Sequence, residues 1–187
     1  MRKVIIVILA VIFSTNMQAQ ETSTSNNSFK NKLTPQAVDY VDTAPHTLEL
    51  TDTIAAPISK VWELISVSKS WVKWFPDVTY CEELNTNAED HKTRVLHGDG
   101  NKFLEEIILW EPNKAYGFTV LECNKKIARS FVELVYLEPI DENRTRITYK
   151  GGAEWRGVAK LLAKTANKTT LRKWKEGFEN IEKLINQ

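Results

Sequence analysis

The chain carries only two cysteines, three histidines and seven glycines in 187 residues, and each scarcity removes a class of chemistry. His46, His91 and His97 are too dispersed for a metal motif. His91 and His97 share one strand-like run six residues apart, where roughly 20 Å of rise would separate them. Neither Cys-x-x-Cys nor His-x-x-x-His occurs, so no metal is expected. Gly98 and Gly100 belong to the turn "HGDGNK" and do not precede a helix, so they make no phosphate cradle. A Gly-x-Ser-x-Gly nucleophile elbow is missing as well. No cofactor is expected. An excess of one charge is also lacking: 25 Lys and Arg stand against 24 Asp and Glu, for a net +1. Without a dominant basic block the chain has no field with which to grip nucleic acid. Cys81 and Cys123 lie in separate strand-like runs, and the narrow Cα approach that a bridge demands favours two free thiols.

No apolar run is long enough to span a bilayer, which takes about 20 residues. The run from Val4 to Phe13 follows Arg2 and Lys3 and gives way to small and polar residues. This is the layout of a secretory signal peptide over residues 1–19, with a cut after Ala19. Export to a periplasm or the exterior is the expectation. Cleavage removes two basic residues and no acidic one, which turns +1 into −1. Residues 20–45 are polar, rich in Ser, Thr and Asn, and read as a flexible linker with a short helical turn at Pro35 to Tyr40.

What is present is strand pattern and aromatic weight. "HTLELTDTI" alternates and reads as a strand. Pro57 then opens a first helix through Val61, Trp62, Leu64 and Ile65, and "SKSWVKWF" reads as a second short helix ended by Pro76. Six strand-like runs follow with turn chemistry between them, the Asp-Gly of "HGDGNK" suiting a tight hairpin. Hairpin spacing argues for an antiparallel meander. From Gly157 to Asn186, Leu171, Trp174, Phe178, Ile181 and Ile185 recur at helical intervals, an apolar stripe that must bury itself on the sheet. The class is therefore α+β: a curved seven-stranded antiparallel sheet wrapped around a long C-terminal helix, with two short helices after the first strand. An arrangement of this kind leaves room for a cavity between helix and sheet.

The order of elements, with "IAAPISKVWELISVSKSWVKWFPDV", "LEEIILWEPNKAYGFTV", "TRITYKGGAEWRGVAKLLAK" and "LRKWKEGFENIEKLI", resembles the START-like (SRPBCC) superfamily, in particular its polyketide cyclase/dehydrase and lipid-transport group. The resemblance covers about residues 46 to 186 of a domain over 46–187 and implies a helix-grip fold with a deep hydrophobic pocket. It does not imply one activity, since family members range from lipid carriers to cyclases to partner-binding proteins.

The six tryptophans and the strand aromatics supply the candidate site. Trp62 reads as core packing. Trp71 and Trp74, three apart, share a side of the second helix and suit either plain core or the closed end of a pocket; the resemblance places Trp74 and Phe75 at the pocket, with Trp71 a candidate beside them. Tyr80, Trp110, Tyr116, Phe118, Phe131 and Tyr149 on the strands, and Trp174 and Phe178 on the terminal helix, complete the expected lining. In "KFLEEIILWE" both faces are largely apolar, so one of Glu105 and Glu106 accompanies the aliphatics inward. Glu106 is the candidate, with Arg94, Arg129 or Arg146 as its partner. No catalytic role is assigned. The expected partner is a hydrophobic small molecule or lipid bound by a monomer; a cyclase/dehydratase-like enzyme and a partner-binding module with a filled pocket are the alternatives. Trp155, Lys160, Leu161, Lys164 and Lys168 mark a stretch with aliphatics on one side and lysines every four residues on another, suited to transient contact with a membrane surface.

Overall fold

The computed structural model describes residues 29–84 and 92–187. The signal peptide over 1–19, residues 20–28 of the expected linker and His91 lie outside the described residues.

The strands are β1 (Asn31–Lys32), β2 (His46–Ile54), β3 (Val78–Glu83), β4 (Thr93–Gly98), β5 (Asn101–Glu111), β6 (Ala115–Cys123), β7 (Ala128–Asp141) and β8 (Arg144–Trp155). Seven form one antiparallel sheet in the order β2-β8-β7-β6-β5-β4-β3, and β1 pairs with β6. The helices are α1 (Tyr40–Thr43), α2 (Ile58–Ser66), α3 (Trp71–Trp74, entered through a 3₁₀ turn at Ser68–Ser70) and α4 (Gly157–Ile185). The Asp-Gly signal sits where it was expected: Asp99 and Gly100 join β4 to β5 with φ of 52° and 68°, the left-handed pair that a two-residue hairpin turn requires. Among the described residues no helix is long and apolar enough to cross a membrane.

α4 lies in the concave face with Trp174, Phe178 and Ile181 buried, as its stripe requires. On β7 the alternation sends Val135 and Leu137 into this inner core, whereas Val132 and Leu134 face the other side. Those outer residues are covered by the segment read as a linker, and here the structure corrects the sequence. Leu33 and Val41 are buried, the Leu33 amide donates to the Leu121 carbonyl at 2.8 Å, and the Thr34 amide donates to that of Arg129 at 2.7 Å. The helical turn falls at Tyr40–Thr43, not at Pro35 to Tyr40. Residues 29–45 are thus part of the domain. The Ser-, Thr- and Asn-rich run at 20–28 gives the whole segment the composition of a tether, but Leu33, Val38, Tyr40 and Val41 are apolar anchors, and the apolar outer face of β7 supplies the reason they pack.

Two adjacent glycines on β8 permit both layers. A Cβ on Gly151 would stand 3.1 Å from the Trp174 ring, and one on Gly152 would stand 2.9 Å from the Val41 Cα. The alternation of the strand puts one on each face. The indole seats against bare backbone inside, and the arm seats against it outside.

Candidate binding cavity

α2 and α3 meet through the two tryptophans that share a helix side. Trp71 Nε1 donates to the Ile65 carbonyl at 2.9 Å, and Trp74 Nε1 donates to that of Leu64 at 3.1 Å. Carbonyls at the end of α2 have no partner within the helix, so the indoles satisfy them while their rings fill the core at 1% exposure each. Trp71 also forms one wall of a cavity of about 240 Å³ between α4 and the sheet. Phe75, Phe103, Phe118, Phe131, Trp155 and Trp174 form the other aromatic walls. At one side Lys173 of α4 bridges Asp77 at 2.8 Å and Asp99 at 3.0 Å, tying the helix to the β4–β5 hairpin. A side cavity of about 60 Å³ shares Phe131, Glu133, Trp155, Thr170 and Trp174 with the main one.

Behind the aromatic wall lies a buried ion pair. Arg94 and Glu105 are directly opposed on β4 and β5, and Arg94 Nε donates to Glu105 Oε2 at 2.6 Å. They are 0% and 2% exposed. The guanidinium stands 4.1 Å from the Trp71 ring centroid, 4.5 Å from that of Phe118 and 5.5 Å from that of Tyr116. Among the described residues its Nη1 and Nη2 have no hydrogen-bond partner, nor has the Tyr116 hydroxyl. The π faces and the carboxylate together replace water around the cation. Burial alone would lower the guanidinium, yet Tyr116 and Glu105 beside it hold it charged. Burial pushes the Glu105 carboxyl up, and Arg94 pulls it back.

A second acidic group reaches the cavity itself. Glu133 of β7 lines both the main and the side cavity, and Tyr149 Oη donates to its Oε2 at 2.5 Å. Tyr149 in turn stacks on Trp174, with centroids 4.2 Å apart and planes 16° apart. Burial pushes the Glu133 carboxyl up to about 8, with the Tyr149 bond opposing the rise and the nearby Glu105 adding to it. A carboxyl of this kind exchanges a proton near neutral pH in an apolar chamber. Among the described residues no group of three or more His, Cys, Asp or Glu comes together as a metal site.

Of the residues expected at the pocket, Trp71, Phe75, Phe118, Phe131 and Trp174 line the cavity. Trp74, Tyr116, Tyr149 and Phe178 are buried around it without lining it. Three expectations are corrected. Tyr80 is 40% exposed and donates to Glu82 at 2.6 Å. Trp110 is 39% exposed and meets Trp62 edge to face at 5.5 Å. Glu106 is replaced as the inward carboxylate by Glu105, because Glu106 opposes Thr93 while Glu105 opposes Arg94. A one-residue register choice decides which glutamate turns inward. Of the candidate partners, Arg129 and Arg146 form surface pairs with Glu154 and Glu138. Glu133 was missed, though an acidic residue amid the apolar alternation Phe131, Val135, Leu137 was its signal. Trp155 is half-buried against Phe131, with centroids 5.6 Å apart, and lines the cavity. Lys160, Leu161, Lys164 and Lys168 are exposed on the first turns of α4.

The geometry agrees with what the comparisons find. The family model described as "Polyketide cyclase / dehydrase and lipid transport" matches residues 45–185. Among solved structures, the Zhui aromatase/cyclase from Streptomyces sp. R1128 is similar at a TM-score of 0.65 and 17% identity, covering 75% of this chain and 93% of that one. A START superfamily protein from Mycobacterium smegmatis is similar at 0.59 and 14%, covering 76% and 98%. A conserved protein from Geobacillus kaustophilus is similar at 0.61 and 17%, covering 75% and 95%. A search of curated proteins finds no match. At these identities the solved structures speak for the helix-grip fold alone, and the family model extends over nearly all of the domain. The chain belongs to the polyketide cyclase/dehydrase and lipid-transport family.

Proposed function

We propose that this protein is an exported carrier that holds one small hydrophobic molecule between its sheet and α4. The aromatic cavity of about 240 Å³ carries the reading. Ligand sites commonly run from about 300 Å³ upward, so the occupant is small: one ring system or a short single chain, not a two-chain lipid. Apolar burial at about 25 cal/mol per Å² supplies the affinity, and Glu133 supplies a polar contact. The signal peptide over 1–19 directs the protein to a periplasm or the exterior. Native mass spectrometry of material from that compartment tests the whole reading in one spectrum. The expected mass is a monomer cut near Ala19 plus one small apolar adduct. An intact Met1 in a membrane fraction would overturn export, and ligand-free protein throughout would favour an interaction module with an unused pocket. The same Glu133, poised to trade a proton near neutral pH, favours a cyclase/dehydratase-like enzyme as the second reading. An adduct chemically changed on incubation would decide for it.

The carrier meets a membrane surface through the start of α4. Val158, Leu161 and Leu162 are 68%, 82% and 55% exposed, and Lys160, Lys164 and Lys168 stand exposed beside them. Aliphatics and lysines on one segment suit interfacial binding, and Trp155 connects this end to the cavity wall. Lysines near an anionic surface contribute about 1 kcal/mol each, so weak, salt-sensitive co-sedimentation with anionic vesicles is expected. Replacing Lys160, Lys164 and Lys168 by Gln should abolish it with the fold intact. Co-sedimentation that survives the triple change, or is absent at low salt, would reduce the segment to scaffold.

A further inference from the structure

We infer that Glu133 sets the charge of the ligand: the cavity takes neutral molecules bearing a hydroxyl and disfavours carboxylates. The inference rests on the carrier reading and adds to it the chemical class of the occupant. Glu133 places a carboxyl on the wall of both cavities. Tyr149 Oη occupies Oε2, and Oε1 has no protein partner among the described residues, so it is the oxygen left for a ligand. The cations nearby are already committed. From β4 Arg94 faces this region, and it is held by Glu105 of β5. Lys173 of α4 is shared between Asp77 and Asp99, which leaves that rim with one more negative charge than positive. From β8 come the Tyr149 hydroxyl, itself pushed up by burial and by Glu133, and the neutral indole of Trp155. His46 of β2 borders the side cavity and not the main one.

Among the described residues that line the main cavity, a ligand carboxylate therefore meets no free cation. It can only accept hydrogen bonds, so beside Glu133 it requires that acid's proton; the Thr170 hydroxyl, the Asn101 amide and the Trp155 indole that also line the cavity are neutral donors and do not offset its charge. Once that proton is lost, two anions share an apolar chamber, an arrangement that burial and like-charge repulsion both oppose. A hydroxyl has no such requirement: it accepts from the protonated acid and donates to the carboxylate. Its binding is indifferent to the state of Glu133, whose carboxyl burial holds near about 8.

Calorimetric titration with two probes of one shape, 2-naphthalenemethanol and 2-naphthoate, at about pH 7 and about pH 9 tests this. The alcohol should bind equally at both. The naphthoate should bind more weakly than the alcohol, and the gap should widen about tenfold for each pH unit above the Glu133 titration. In Glu133→Gln, which keeps an acceptor for Tyr149, the gap should no longer vary with pH. Equal binding of both probes at about pH 9 would overturn the inference and leave the carrier reading intact. So would a pH-dependent gap that persists in the Gln variant. Failure of both probes to bind wild-type protein at either pH would overturn the carrier reading, and the inference with it.

Discussion

Glu105→Ala is expected to destabilise the domain by about 3 to 5 kcal/mol, the range for removing one member of a buried pair. The substitution leaves the Arg94 guanidinium, 0% exposed, with aromatic faces and no counter-charge. Among the described residues Nη1 and Nη2 already lack hydrogen-bond partners, so the Nε contact to Glu105 is the one bond the cation has there to a carboxylate. Arg94→Met combined with Glu105→Met should recover most of the loss, since apolar groups of similar volume need no counter-charge. Urea unfolding of the two variants against wild type makes the comparison. A loss below about 1 kcal/mol for Glu105→Ala would show that water reaches the pair. A double variant no more stable than the single would show that the pair does more than neutralise itself.

Trp174→Ala should cost a similar amount, about 3 to 5 kcal/mol, through lost burial and the void it leaves. The indole is 1% exposed, stacks on Tyr149 and fills the space over Gly151. It also lines both cavities, so the variant should join them into one larger chamber and accept a bulkier apolar probe than wild type does. Denaturant unfolding and probe titration read the two effects separately. A loss under about 1 kcal/mol would contradict the packing of the α4 stripe against the sheet. Unchanged ligand size limits would contradict the role of the ring as a partition.

The sequence by itself determined the elements and their order, because the signals involved are local. Pro57 and Pro76 bracket the short helices, Asp99-Gly100 turns the β4–β5 hairpin, and the spacing of Trp174, Phe178 and Ile181 makes a buried stripe on a helix. It also indicated that aromatics from the helices and strands gather at one place, since so much apolar ring surface has to be buried together. Only the tertiary structure decided which of these rings line the cavity and which support it. That depends on strand register, where a slip of one residue exchanges Glu105 for Glu106, and on cross-strand partners far apart in the chain, such as Glu133 and Tyr149. The arm at 29–45 was hidden for the same reason. Its apolar residues, Leu33, Val38, Tyr40 and Val41, follow no strand or helix period and adjoin the polar run at 20–28, and what holds Leu33 and Val41 in place is an outer face built from strands distant in the chain. Local composition encodes what a segment prefers, and only the packed sheet supplies what it meets.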